Sequence, residues 1–166
     1  MISFQHDILP LKDKLFRLAL RITLNPAEAE DVVQETMIKV WSRRDNWDTI
    51  DNIETFCLTI CRNLAIDKTR HLANQSVPLD TEAEPSDNSQ HANPEEQTIQ
   101  QDRIKMVRQL INQLPEKQRS CMQLRDIEGK SYKDIATILA ITEEQVKVNI
   151  FRARQTIREQ FKKVDT

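Results

Sequence analysis

Glycine is almost missing from this sequence of 166 residues, in which Gly129 is the one example. Phosphate-cradling loops and tight hairpin turns need glycine where the backbone angle φ is positive. The sequence therefore excludes a glycine-rich nucleotide-binding loop. It favours a helical fold over one built from strands and hairpins.

Long apolar runs, a secretory signal and a cysteine framework are also missing. No run approaches the roughly 18 apolar residues that a membrane-spanning helix needs. The first residues do not combine a basic region, an apolar stretch and a small-residue cleavage site. Cys57, Cys61 and Cys121 are too few, and odd in number, for a disulfide framework. We therefore expect a cytoplasmic protein with reduced thiols and no membrane insertion.

The formal net charge of −2 argues by itself against nucleic-acid binding, but the charge is unevenly distributed. Residues 1–72 are nearly balanced, whereas residues 73–102 contain acidic residues and no lysine or arginine. From residue 103 onward, lysine and arginine outnumber aspartate and glutamate. This distribution predicts a basic module tethered by an acidic linker.

Apolar residues recur every three or four positions in three segments of the N-terminal part, which predicts three helices. The first runs through residues 8–22. Asn25 and Pro26 then suit the cap and first position of a second helix, and the third runs from Ile53 to about His71. Three helices of this length can form a compact bundle.

Residues 73–96 contain prolines, acids and small polar residues, which is the composition of a flexible linker. Four helical segments follow it, with breaks at Pro115, at Gly129 and before Thr142. We therefore predict an all-α protein of two small helical domains. A helical bundle occupies residues 1–72, and a four-helix domain with a helix-turn-helix occupies residues 97–166.

The segment SYKDIATILAITEEQVKVNIFRARQTIR, which begins at Ser131, has the layout of a helix-turn-helix. Its second helix carries arginine, lysine and amide side chains, which read base edges or hold phosphates. The alternative is a solvated basic face on an ordinary helical hairpin. In a recognition helix, base contacts come chiefly from the N-terminal part. The predicted base contacts are Gln145, Lys147 and Asn149, and the predicted contacts further along the helix are Arg152, Arg154 and Arg158.

Two sets of motifs follow each other along the chain. The first consists of AEAEDVVQETMIKVW and TFCLTICRNLAIDKTR, and the second of LPEKQRSCMQLRDIEGKSYKDIA and VKVNIFRARQTI. Together they resemble the extracytoplasmic-function (ECF) group of bacterial RNA polymerase sigma factors. AEAEDVVQETMIKVW is similar to the family's polymerase-binding helix, and TFCLTICRNLAIDKTR to its promoter-melting helix. LPEKQRSCMQLRDIEGKSYKDIA and VKVNIFRARQTI are similar to its fourth region, which reads the upstream promoter element. The resemblance covers nearly the whole chain.

The resemblance implies a sigma factor that joins RNA polymerase core and directs promoter-specific initiation. The N-terminal domain would read the −10 element and the C-terminal helix-turn-helix the −35 element. The implied partners are the β′ clamp coiled coil and β flap of the core enzyme, promoter DNA and an anti-sigma factor. No catalytic activity, cofactor, metal or small-molecule substrate is expected, and the active protein would associate with the nucleoid.

The resemblance also assigns surfaces in the N-terminal domain. Asp31, Gln34 and Glu35 would face the polymerase, whereas Glu28 and Glu30 are better interpreted as solvated. Opening of the promoter would use the loop after the second helix and the face of the third. The residues predicted to face the downstream element are Arg43, Arg44, Trp47, Arg62, Asn63, Asp67, Lys68 and Arg70.

The two tryptophans allow different interpretations. Trp47 either stacks on a base or covers the bundle, and covering is favoured; Trp41 is expected in the core. Ala140 departs from the family, which often has glycine in the turn, and αL geometry there would cost on the order of 1 kcal/mol. Val148 and Asn149 replace a Ser-Arg pair that is common in the family, so the upstream sequence preference stays open.

Two other classes of protein compete with this interpretation. A plain DNA-binding regulator explains residues 103–166 equally well, but it does not explain DVVQE and RNLAID together in the first domain. A metal protein would use Cys57, Cys61 and His71, which make an incomplete zinc set. Cysteines on an apolar stripe are more often small core residues.

Overall fold

The structure is a computed structural model that describes residues 1–74 and 94–164. Its elements in this part of the chain are helical. Two short turns, Phe4–Ile8 and Leu9–Leu11, precede the first long helix. The helices are α1 (Lys12–Thr23), α2 (Pro26–Ser42), α3 (Ile53–Asn74), α4 (Pro94–Asn112), α5 (Glu116–Met122), α6 (Tyr132–Leu139) and α7 (Glu143–Val164).

The junction between α1 and α2 forms as its sequence predicts. Leu24 ends α1 in the left-handed region, with φ of 57°. The Asn25 side-chain oxygen then accepts a hydrogen bond from the Glu28 backbone N–H at 3.1 Å, and Pro26 occupies the first turn of α2. The cap satisfies a donor that has no partner within the helix, which fixes where α2 begins.

Helices α1, α2 and α3 pack against each other around a core of aliphatic side chains, which confirms the predicted bundle. Cys57 and Cys61 are both buried in this core, so the interpretation of these cysteines as core residues is correct. Burial raises the pKa of each thiol to about 12. Both therefore stay protonated at neutral pH, and a protonated thiol is a poor nucleophile and metal ligand.

The two tryptophans of the bundle lie in different surroundings. Trp47 is 6% exposed and its Nε1 donates a hydrogen bond to the Val40 carbonyl at 3.0 Å, so in this structure it covers the core. The prediction that Trp41 lies in the core is wrong, because this side chain is 49% exposed. It follows Val40, whose side chain is fully buried, on α2 and points away from the core, making edge contacts with Phe4 and Trp47.

Helix boundaries near the predicted linker differ from the sequence-based ones. Helix α3 continues to Asn74, and α4 already begins at Pro94, within the predicted linker of residues 73–96. Residues 75–93 of that predicted linker lie outside the described residues. The helical segments of residues 1–74 are called the N-terminal module below, and those of residues 94–164 the C-terminal module.

In the C-terminal module, Pro115 precedes α5, and a single wide helical turn, Gln123–Ile127, extends that helix. Together, α5 and this turn are called the α5 segment. Gly129 follows with φ of 70°, as predicted for a residue that ends a helix in the left-handed region. The chain then turns into α6, so that α6 and α7 both pack on the α5 segment. No described helix is long and apolar enough to cross a membrane.

The two modules pack directly against each other, an arrangement that the sequence did not predict. Helix α1 lies against α5, and α3 lies against α6. One continuous apolar cluster includes Leu15 and Leu58 of the first module together with Leu124 and Ile138 of the second. The described parts of the chain thus share a core.

Candidate nucleic-acid interface

The predicted helix-turn-helix is formed by α6, a three-residue turn and α7. The Ser131 hydroxyl accepts a hydrogen bond from the Asp134 N–H at 3.1 Å and begins α6. Thr142 and Gln145 cap α7 reciprocally, with side-chain to backbone distances of 3.0 and 3.1 Å. Ala140, between the helices, adopts the left-handed conformation that its position in the turn suggested, with φ of 56° and ψ of 46°.

Apolar side chains from both helices fix their crossing. Ile135 and Leu139 of α6 and Val146 and Ile150 of α7 are buried, and Ile141 of the turn is partly buried against them. This contact turns the rest of α7 outward. The helix therefore has one side that holds the module together and another that meets solvent.

The solvent side of α7 is basic over most of its length. Lys147, Arg152 and Arg158 are exposed. Asn149 is half-buried and its Nδ2 donates to the Gln145 carbonyl at 2.7 Å, while the Gln145 side chain is used in the cap. The three predicted base-reading residues therefore differ in their surroundings. The exposed Lys147 ammonium lies 5.6 Å from the centre of the Tyr132 ring, whereas the two amides form hydrogen bonds within the helix and its cap.

Arg154 is placed differently from the other arginines of α7. Its guanidinium binds both carboxylate oxygens of Asp126, with an Nε–Oδ2 distance of 3.1 Å. The hydrogen bonding with Asp126 raises the pKa of Arg154. The pair joins α7 to the end of the α5 segment, so this arginine already has an anionic partner inside the module.

Two exposed apolar residues of α7 were not among the predicted contacts. Phe151 is 68% exposed and Val148 is 43% exposed, three positions apart on the side that carries Lys147 and Arg152. Apolar side chains in the major groove contact the methyl group of thymine. The sequence signal that could have identified them is an apolar pair outside the buried stripe of a basic helix.

The third helix of the N-terminal module presents three predicted contacts to solvent. Asn63, Asp67 and Arg70 are exposed at spacings of four and three, which places them on one side of α3. Arg62 is not on that free side. It lies 3.6 Å from the Glu116 carboxylate of the C-terminal module, and only 14% of its side chain is exposed.

The loop after α2 holds two exposed cations over aromatic rings. The Arg43 guanidinium lies 6.0 Å from the centre of the Phe56 ring, and that of Arg44 lies 4.7 Å from the centre of Trp41. Stacking of this kind orients a guanidinium without neutralising it. Both charges therefore remain available for a phosphate.

An acidic cluster occupies the outer side of α2. Asp31, Gln34 and Glu35 are all exposed there. The Lys68 ammonium lies 3.3 Å from the Asp31 carboxylate, 3.5 Å from Glu28 and 3.9 Å from Glu35. Although burial opposes the charge of Lys68, the hydrogen bond with Asp31 and the three negative charges outweigh it and raise its pKa. The structure thus groups Lys68 with the predicted polymerase-binding residues and not with the DNA-facing ones.

Comparisons with known proteins agree on both modules. Residues 8–75 match the sequence family described as Sigma-70 region 2, and residues 104–157 match Sigma-70, region 4. The chain is 33% identical over 164 residues to the RNA polymerase sigma-H factor of Pseudomonas aeruginosa, covering 93% of this chain and 84% of that protein. It is 30% identical over 159 residues to the ECF RNA polymerase sigma factor SigW of Bacillus subtilis, covering 91% and 84%.

The chain belongs to the ECF family of RNA polymerase sigma factors. Sigma factors bind the core enzyme of RNA polymerase and promoter DNA, and this sigma factor directs promoter-specific transcription initiation. The alternative of a plain DNA-binding regulator does not account for the region 2 match over residues 8–75. The family is one of initiation factors and not of known enzymes.

Solved structures show the same fold as this sigma factor. The sigma factor RpoE in complex with the anti-sigma factor NepR from Bartonella quintana matches with a TM-score of 0.72 and 24% identity, over 96% of each chain. CnrH in complex with the cytosolic domain of CnrY matches with a TM-score of 0.67 and 19% identity, over 96% of this chain and 87% of that one. Within residues 1–74 and 94–164 of this sigma factor, no group of three or more His, Cys, Asp or Glu side chains is arranged to hold a metal ion.

Proposed function

We propose that the N-terminal module binds the polymerase and opens the −10 element, while α7 of the C-terminal module reads the −35 element. The observation that supports this division most strongly is the capped helix-turn-helix, whose second helix presents Lys147, Arg152 and Arg158 to solvent. A helix of this kind fits the major groove, and its cations suit the phosphates beside it. Phe151 and Val148 are proposed as additional contacts to thymine methyl groups.

The proposed polymerase contact is the acidic cluster of Asp31, Gln34 and Glu35. Lys68 lies between its carboxylates and restrains them, which reduces the entropy lost when a partner orders these side chains. A basic coiled-coil surface would complement this cluster in charge and fix the register of docking. Asp31→Asn with Glu35→Gln should weaken binding to core polymerase, while Glu30→Gln on the same helix provides the matched control.

The proposed downstream surface consists of the α3 side with Asn63, Asp67 and Arg70 and the two stacked arginines of the loop, Arg43 and Arg44. Opening a promoter requires unstacked bases to be held by polar and aromatic groups while cations hold the backbone. Trp47 is left out of this surface because its ring is buried and its Nε1 already has a partner.

Run-off transcription with purified core polymerase over a library of genomic promoters tests the proposal. We expect start sites with a shared upstream element, and a changed upstream element for a Lys147→Ala, Asn149→Ala double variant. The Asn63→Ala, Arg70→Ala variant should bind the same duplex promoters but form fewer open complexes, detected by permanganate reactivity of unpaired thymines. If the upstream preference stays unchanged in the first variant and opening stays unchanged in the second, the assignment of surfaces is wrong.

We also propose that an anti-sigma factor regulates this protein and that it acts in the cytoplasm, at the nucleoid when active. Support comes from the two solved sigma factors with this fold, both of which are held in complexes with anti-sigma factors. A pull-down from the source cells, with the chain as bait, would identify such a partner through competition with core polymerase. A captured protein that leaves core binding unchanged would count against this role.

A further inference from the structure

The contact between the two modules contains a charged pair whose carboxylate, that of Glu128, is almost entirely removed from solvent. The Arg17 guanidinium of α1 donates two hydrogen bonds to the Glu128 carboxylate, each of 2.8 Å. The Glu128 side chain is 2% exposed and accepts a further hydrogen bond of 2.9 Å from the Gln123 side-chain amide. Burial opposes ionisation of Glu128, but the hydrogen bonds from Arg17 and Gln123 outweigh it and lower its pKa.

A second arginine of α1 extends this contact. Arg21 donates to the Gln123 side-chain oxygen at 3.3 Å and to the Asn112 side-chain oxygen at 2.9 Å. Burial lowers the pKa of Arg21, and the nearby charges of Arg108 and Arg119 lower it further. This cation is therefore held between the modules by amide oxygens. We call Arg17, Arg21, Gln123 and Glu128 the interdomain latch.

Two more ion pairs cross the same boundary. The Lys130 ammonium of the C-terminal module lies 2.6 Å from the Glu54 carboxylate of α3, which also binds Lys14 of its own module at 2.7 Å. The other pair joins the Arg62 guanidinium of α3 and the Glu116 carboxylate of α5, which are 3.6 Å apart. The apolar contact between the modules is thus accompanied by specific polar contacts, which define one docked arrangement.

We propose that the interdomain latch holds this sigma factor in a closed, initiation-incompetent form. The proposal rests on the proposed function, in which the two modules read separate promoter elements. Elements at −10 and −35 are about 25 base pairs apart, or about 85 Å at 3.4 Å per base pair. A compact chain of this length is only about 40 Å across. The closed form also engages Arg62, a predicted promoter contact, with Glu116.

The latch limits activity through the fraction of molecules that are open. The apparent affinity of a ligand that needs the open form falls in proportion to that fraction. Weakening the latch should therefore raise run-off transcription at limiting sigma concentration by up to about tenfold, if about one molecule in ten is open in the parent protein. Transcription at saturating concentration should change little.

Glu128→Gln and Arg17→Glu test the latch in the full chain, and Glu30→Gln is the matched control. Glu30 is exposed on α2, so this variant makes the same side-chain change as Glu128→Gln without altering the latch. Small-angle scattering should show a radius of gyration of about 15 Å for the parent and control, and about 18 Å or more for the latch variants, the value for two separate bodies of this size. The Arg17→Glu, Glu128→Arg double variant should return toward the parent in both scattering and transcription.

Helical circular dichroism and thermal unfolding identify variants that have lost their fold. If Glu128→Gln does not fold, Arg17→Gln replaces it, because the Arg17 side chain is partly solvent-exposed and its loss is better tolerated. Folded latch variants that keep the parent radius of gyration, or that open without increased transcription at limiting concentration, would overturn the proposal. Failure of the parent to support any transcription would instead refute the proposed function, while scattering would still report on the latch.

Discussion

Arg152 and Arg154 are two positions apart on α7, yet the structure places them in different surroundings. Arg152 is exposed and forms no hydrogen bond or ion pair with any residue in the described part of the chain. The Arg154 guanidinium, in contrast, donates hydrogen bonds to both carboxylate oxygens of Asp126. We expect Arg152→Ala to remove a phosphate contact. We expect Arg154→Ala to remove an intramolecular ion pair.

The magnitudes of the two effects can be separated. Each phosphate contact contributes a slope of about −0.9 to the dependence of log K on log salt concentration. Loss of one contact should therefore make the affinity deficit of Arg152→Ala about 3.5-fold smaller at 200 mM salt than at 50 mM. The Arg154–Asp126 pair is partly exposed, so its loss should cost about 1 kcal/mol or less and lower Tm by up to about 2–4 °C.

The assay is binding of each reconstituted polymerase holoenzyme to one promoter fragment across a salt series, together with thermal unfolding of each sigma variant alone. Arg152→Ala should change the salt slope and leave Tm unaltered, and Arg154→Ala should do the reverse. Equal changes in slope for both variants would refute the reasoning, since they would mean that Asp126 releases Arg154 to the DNA.

Three further predictions concern the fold that positions these surfaces. Ala140→Gly should stabilise the protein by about 0.5–1 kcal/mol, because relief of αL strain exceeds the added entropy of the unfolded chain. Calorimetry should show a higher Tm for this variant. The control Ala27→Gly, at an ordinary helical position, should show a lower Tm. Trp47→Phe should destabilise the fold by about 1–2 kcal/mol through the lost hydrogen bond and packing, with promoter opening retained at low temperature; impaired opening at unchanged Tm would instead favour base stacking. Cys57, whose pKa is raised by burial to about 12, should resist alkylation by iodoacetamide at pH 8 in the native protein and react after denaturation. Mass spectrometry would detect the added group. Rapid labelling of the native protein would contradict the burial of this thiol.

Local features of the fold could be read directly from the sequence. Asn25, Thr142 and Gly129 act at helix ends as predicted, because caps and left-handed positions depend on a few neighbouring residues. The same applies to the apolar stripe of α7, since helical periodicity determines which side chains share a face. The order of the two motif sets was sufficient to indicate the sigma family.

Features that depend on distant residues were harder to predict. Trp41 and Trp47 are both aromatic and close in sequence, but only the packing of the loop on α2 decides which one covers the core. Lys68 was expected near DNA, and its acidic partners lie on another helix. Phe151 was not among the predicted contacts because base reading was expected from cationic and amide side chains, and its exposure depends on how α7 packs on α6.

The sequence by itself determined the helices, their caps, the helix-turn-helix and the family, because each follows from neighbouring residues or from motifs in linear order. Only the tertiary structure decided which cations are available and how the modules meet. Arg17 and Glu128, 111 residues apart in sequence, carry no mark that pairs them. Their contact depends on the packing of α1 against the α5 segment, where burial makes an unpaired charge too costly to keep.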